Sequence, residues 1–101
     1  MSTVAIYSFE GRFAGNAEYE FHCPEQDAVH KCMLFLVQAD EAEAWDGAVA
    51  ESARYGFTDI LRQDFGIMNT AVLDEQAFAG YRVNYEEALQ LGSSLIFYAN
   101  D

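Results

Sequence analysis

The segment HKCMLFLVQA, residues 30–39, is the longest apolar run in the chain, with Leu34, Phe35, Leu36 and Val37 in unbroken succession. A strand turns successive side chains to opposite faces, so such a run places apolar groups on both. TVAIYSF (3–9) does the same through Val4, Ile6 and Phe9, and SSLIFYA (93–99) through Leu95, Ile96, Phe97 and Tyr98. A fold built on these strands has to cover both faces of its sheet, because large bare apolar patches are uncommon on monomers.

A chain of 101 residues is read as one compact domain, 1–101, since two cores of half that size would each be too small to stand alone. With 51% hydrophobic residues it has ample material for a packed core, which argues against disorder. EYEFHC (18–23) alternates Tyr19, Phe21 and Cys23 against Glu18, Glu20 and His22, the pattern of a half-buried strand. Gly15-Asn16 before it signals a turn.

Beyond the strands, Asp40 followed by Glu43 resembles a capping box, and predicts a helix over 41–55 ended by Gly56. Its buried stripe is read as Ala42, Trp45, Val49, Ser52 and Ala53, with Glu43, Asp46, Glu51 and Arg54 facing solvent. Residues 57–73 should hold a strand or two, with Gly66 at a bulge or turn, and 74–81 one helical turn. Asn84, with Glu87 three residues on, reads as the cap of a second helix that buries Tyr85, Ala88 and Leu89 and ends at Gly92.

The element order β-β-β-α-β-(α)-α-β predicts an α+β fold. The expected form is a single antiparallel or mixed sheet of about four or five strands with two helices packed on one face, ferredoxin-like or related. Two helices on one face leave the other apolar face bare, and a second copy of the chain is expected to cover it.

Seventeen Asp and Glu against five Lys and Arg give a formal charge of −12. Such a surface repels phosphate, so direct nucleic-acid binding and anionic membranes are disfavoured as partners. No stretch approaches the roughly 18 apolar residues of a membrane span. The start, MSTVAIYSFEGRF, has no basic stretch or small-residue cleavage pattern, and a cytoplasmic location is expected.

Every histidine and every cysteine lies in one stretch, HCPEQDAVHKC (22–32). His30 and Cys32 share a strand face, whereas His22 and Cys23 point apart, and the usual zinc spacings are absent. The expectation is no metal and no cofactor; Cys23, His30 and Cys32 are the ligands to be considered if there is one. There is no phosphate loop, nucleophile elbow or zinc-protease helix, and no catalytic residue is assigned.

What remains is charge. A value of −12 exceeds the magnitude of about 2 to 8 that solubility asks of a small domain. The expected function is that of a small acidic inhibitor or immunity-type protein. It would block a basic protein such as a nuclease, a toxin or another nucleic-acid-binding machine, an anti-CRISPR-like role included. The binding residues are read as Asp40, Glu41, Glu43, Asp46, Glu51, Glu86 and Glu87. The alternative is a non-catalytic homodimeric domain that binds a small molecule or regulates.

Overall fold

A computed structural model describes residues 3–15, 17, 18, 26–40, 42–68 and 81–98. The strand read at 18–23 falls almost wholly outside them, as do His22, Cys23, Glu41 and the helical turn placed at 74–81 apart from Tyr81.

The elements run β1 (Thr3–Phe13), β2 (Val29–Gln38), α1 (Trp45–Arg54), β3 (Phe57–Ile67), α2 (Tyr81–Leu91) and β4 (Ser93–Phe97). Four strands form one antiparallel sheet in the order β3-β1-β2-β4. The α+β expectation is therefore met. β2 and β3 both run antiparallel to β1 and flank it, so β2–α1–β3 is a split βαβ unit. α2 then carries the chain from one edge of the sheet to the other.

The two helices lie on opposite faces, not on one. Alternation sends Ala5, Tyr7, Phe9 and Phe13 of β1, with Cys32 and Leu34 of β2, to the face where Ala48 and Tyr55 of α1 pack. Val4 and Ile6, with Met33, Phe35 and Val37, go to the other face, where Tyr81, Tyr85 and Ala88 of α2 meet them. Part of the two-sided apolar surface thus finds cover within one chain, Val4 and Phe35 being buried and Ile6, Met33 and Val37 half-buried, while Val29 and Leu61 stay exposed. The apolar residues most exposed on α2, Val83, Leu89 and Leu91, are scattered around the helix, and single exposures of this kind are ordinary on a protein surface.

β3 is one strand, and Gly66 sits in regular register opposite Ile6. Its irregularities come earlier, where β1 steps from Ser8 to Phe9 and from Glu10 to Arg12 while β3 spends an extra residue at each step. Asp59 occupies the second bulge with φ of 53°, a left-handed conformation that Asp tolerates better than most residues. Its carboxylate lies 3.6 Å from the Arg12 guanidinium, both groups being exposed.

Both helices end as their glycines predict. Gly56 (φ 92°) donates its N–H to the carbonyl of Ala53, and Gly92 (φ 96°) donates to Ala88. A Cβ on Gly56 would lie 2.7 Å from a ring carbon of Phe13 and 2.9 Å from the carbonyl oxygen of Gly15, so conformation and space both demand glycine there.

The starts of the helices differ from the sequence reading. α1 begins at Trp45 with Ala44 at its cap position and no side-chain cap, four residues later than Asp40 suggested. Asp40 instead accepts the N–H of Ala42 at 3.0 Å within the preceding loop. Asn84 lies inside α2, where its amide donates to Ser94 Oγ at 2.8 Å. The inward side of α1 is Trp45, Ala48, Ser52 and Tyr55, while Ala42 and Ala53 are exposed; on α2 Leu89 is 52% exposed. Ala48 and Ser52, both small and both buried, are the residues α1 turns toward the sheet.

Candidate functional site

The loop between β2 and α1 carries the densest part of the expected acidic surface, and a buried tyrosine holds it. Tyr7, at the centre of β1, is fully buried. Its hydroxyl donates to Gln38 Oε1 at 2.8 Å and accepts the backbone N–H of Ala44 at 2.9 Å. The amide nitrogen of Gln38 donates in turn to the carbonyls of Asp40 and Ala42, at 2.9 and 2.7 Å. Three bonds from these two side chains hold the backbone of Asp40, Ala42 and Ala44, and the fourth joins the side chains to each other. Three of the loop's backbone groups are thus bonded by side chains from the sheet, and a fourth, the N–H of Ala42, by Asp40.

Asp40, Glu43 and Asp46 are exposed along this edge and make no ion pair among the described residues. Trp45 stands among them, half-buried. Its ring meets Tyr7 edge-on at 4.9 Å, and the Arg62 guanidinium lies 5.6 Å from its centroid. The contact with Arg62 shows the attraction of an aromatic face for a guanidinium, and the exposed acids Glu43 and Asp46 lie close to Trp45 in sequence.

Glu51 is different. The helical periodicity placed it with the solvent-facing acids, but its side chain is only 14% exposed. Ser93, buried at the start of β4, donates its hydroxyl to Glu51 Oε2. Because that uses the one hydroxyl proton of Ser93, the Tyr55 hydroxyl 3.0 Å away is the donor to Ser93 Oγ. Arg54 completes the group, 3.2 Å from Glu51 Oε1 and 3.7 Å from Glu18. Burial pushes the Tyr55 phenol above its ordinary pKa, and the charges of Glu51 and Glu87 add to the effect. Glu51 is thus committed to joining α1 to β4 and is removed from the binding set.

Glu86 and Glu87 are exposed on α2, the helix of the opposite face. The expected residues accordingly divide: Asp40, Glu43 and Asp46 cluster before and at the start of α1, Glu86 and Glu87 project from α2, and Glu41 lies outside the described residues. The sequence reading took Trp45 as core alone, and it missed the roles of Tyr7 and Gln38 entirely. No local signal marks Tyr7, whose hydroxyl partners lie 31 and 37 residues away, and an amide such as Gln38 at a strand end announces no particular partner.

The described residues hold no group of three or more His, Cys, Asp and Glu placed to bind a metal, and no helix among them is long and apolar enough to cross a membrane. No protein-family model matches the chain, and neither the curated proteins nor the solved structures include a significant match.

Proposed function

We propose that this domain binds and blocks a basic protein, of the nuclease, toxin or nucleic-acid-binding kind, through the acidic edge formed by Asp40, Glu43 and Asp46 around Trp45. One observation supports this reading above the others. The loop before α1 is held by bonds from Tyr7 and Gln38 while Asp40, Glu43 and Asp46 stay exposed and make no ion pair among the described residues. A surface fixed before binding loses little entropy on contact, and unpaired carboxylates on it steer and recognise cations. The half-exposed Trp45 ring supplies the aromatic anchor that strong interfaces use. Carboxylates set where phosphates would otherwise dock compete directly with a nucleic-acid substrate.

The alternative of a homodimeric ligand-binding domain has less apolar surface to draw on, since α2 packs over Val4 and Phe35 on the face that called for a second copy. Affinity capture from the native host tests the proposal, using the wild-type chain beside a variant carrying Asp40→Lys, Glu43→Lys and Asp46→Lys. A basic protein retained by the wild type and absent from the equally folded variant is the expected result. Identical captures from both would reject it.

A further inference from the structure

β4 is an edge of the sheet, and its ladder to β2 fixes which of its backbone groups look outward. The register runs without a shift from Leu36–Ser93 to Cys32–Phe97. At its two ends Val37 donates its N–H to the carbonyl of Gly92, and Tyr98 donates to that of Lys31. In an antiparallel ladder every second residue bonds the partner strand, so Ser94 and Ile96 are the residues of β4 that bond β2. Ser93 and Leu95 turn their N–H and C=O groups the other way, where no strand lies among the described residues. Their side chains are engaged within the fold, Ser93 with Glu51 and Tyr55, and Leu95 in the core beneath α1.

The two edges of the sheet are built differently. β3, the opposite edge, carries two bulges and three charges, Asp59, Arg62 and Asp64. Bulges and charges of this kind keep an edge from pairing with another chain. β4 has no bulge, no charge and no proline, and its five residues are an ordinary strand length. It lies within residues 88–100, the longest stretch without a charged residue in a chain of formal charge −12.

A second copy of the chain fits this edge. Antiparallel pairing of β4 with itself about Leu95 sets Leu95 opposite Leu95 and Ser94 opposite Ile96, so no like charges meet. The outward N–H and C=O of Leu95 in each copy bond those of the other. Leu95 on one face and Ile96 on the other, both half-buried, gain further cover. Both far edges of the joined sheet are then β3, so the two-fold contact closes and growth stops at two copies.

We propose that the chain forms a symmetric dimer by pairing β4 with β4 of a second copy, which joins two four-stranded sheets into one. The contact uses the sheet edge and not the face over which α2 packs, and it is independent of the basic-partner reading. Salt acts on the two in opposite senses. Screening weakens attraction between carboxylates and a basic partner, but it relieves repulsion between two copies of charge −12.

Sedimentation equilibrium of the full chain, across a range of concentrations at low and at moderate salt, tests this for wild type and Leu95→Pro. The substitution removes an N–H that points outward and leaves the bonds to β2 in place. Wild type should pass from monomer to dimer mass as concentration rises, and should do so at lower concentration in moderate salt. Leu95→Pro should stay monomeric. Amide exchange of the wild type reads the same contact without a variant, so it decides the matter even if Leu95→Pro does not fold. The Leu95 N–H should exchange about tenfold or more slowly in concentrated than in dilute solution, because only the dimer bonds it. A wild type that is monomeric at every concentration and salt would overturn the proposal. So would a dimer that salt dissociates, a dimer retained by Leu95→Pro, or a Leu95 amide whose exchange ignores concentration.

Discussion

The hydroxyl of Tyr7, buried in the middle of the sheet, receives the backbone N–H of Ala44 at 2.9 Å, one residue before α1 begins. Core and acidic surface are coupled at this bond. Tyr7→Phe keeps the ring and its edge contact with Trp45 but leaves the Ala44 N–H and Gln38 Oε1 without the hydroxyl. Chemical denaturation should show a loss of about 1–2 kcal/mol. Backbone amide exchange over residues 40–44 should quicken in the same variant. An unchanged exchange pattern would mean that Tyr7 does not order the loop.

Glu51 and Ser93 make a second coupling, between α1 and the edge strand β4. A double-mutant cycle with Glu51→Ala and Ser93→Ala should give an interaction energy of about 1–2 kcal/mol, as for a hydrogen bond to a charged group. Glu43→Ala, which breaks no described bond, should stay within about 0.5 kcal/mol of wild type. Equal costs for Glu43→Ala and Glu51→Ala would return Glu51 to the solvent-facing set.

These two couplings show what the sequence could disclose. The strands at 3–9, 30–39 and 93–99 were legible because apolar runs and β-branched residues carry their own signal, and the helix ends were legible because Gly56 and Gly92 need a left-handed backbone. The helix starts were not. Asp40 and Asn84 are the right residue types for caps, but a short polar side chain bonds whatever lies nearest, here Ala42 N and Ser94 Oγ. Glu51 looked solvent-facing because charge usually is, and nothing local announces a serine 42 residues on. The two-sided strands called for cover on both faces, but which face each helix takes is set by the fold: the reading put both on one face, and the structure puts one on each. Within the candidate site the acids were readable, whereas the Tyr7–Gln38 scaffold exists only in the fold.

The two glycines of the α1 region should respond in opposite directions. Gly47 lies within α1, and a Cβ there meets nothing within 4 Å, so Gly47→Ala should stabilise by about 0.5–1 kcal/mol. At Gly56 the positive φ and the Phe13 and Gly15 contacts make Gly56→Ala costly, by about 2 kcal/mol or more. Thermal melts of the two variants should move to either side of wild type. A shift in the same direction would show that α1 does not end as described.

Alkaline pH should weaken the protein through Cys32. Its folded pKa, raised from 9.0 to about 12 by burial, means that the folded state keeps a proton the unfolded chain gives up. The stabilisation is fully present below pH 9.0 and is lost as pH climbs toward about 12. Tyr55, raised chiefly by burial, acts in the same direction. Urea midpoints taken across that window should fall less steeply for Cys32→Ala than for wild type. Parallel curves would place the thiol in contact with water.

The central claim is that the edge around Trp45, and not the acids of α2, meets a basic partner. Association rates of the captured partner, followed against ionic strength, test it most directly. Reversal of Asp40, Glu43 and Asp46 to Lys should slow association by about tenfold or more at low salt and flatten its salt dependence, since the encounter is steered by these charges. Reversal of Glu86 and Glu87 should leave the rate within about twofold of wild type, because those residues project from the helix on the other face. A rate that follows the α2 pair, or that responds to neither set, would contradict the account.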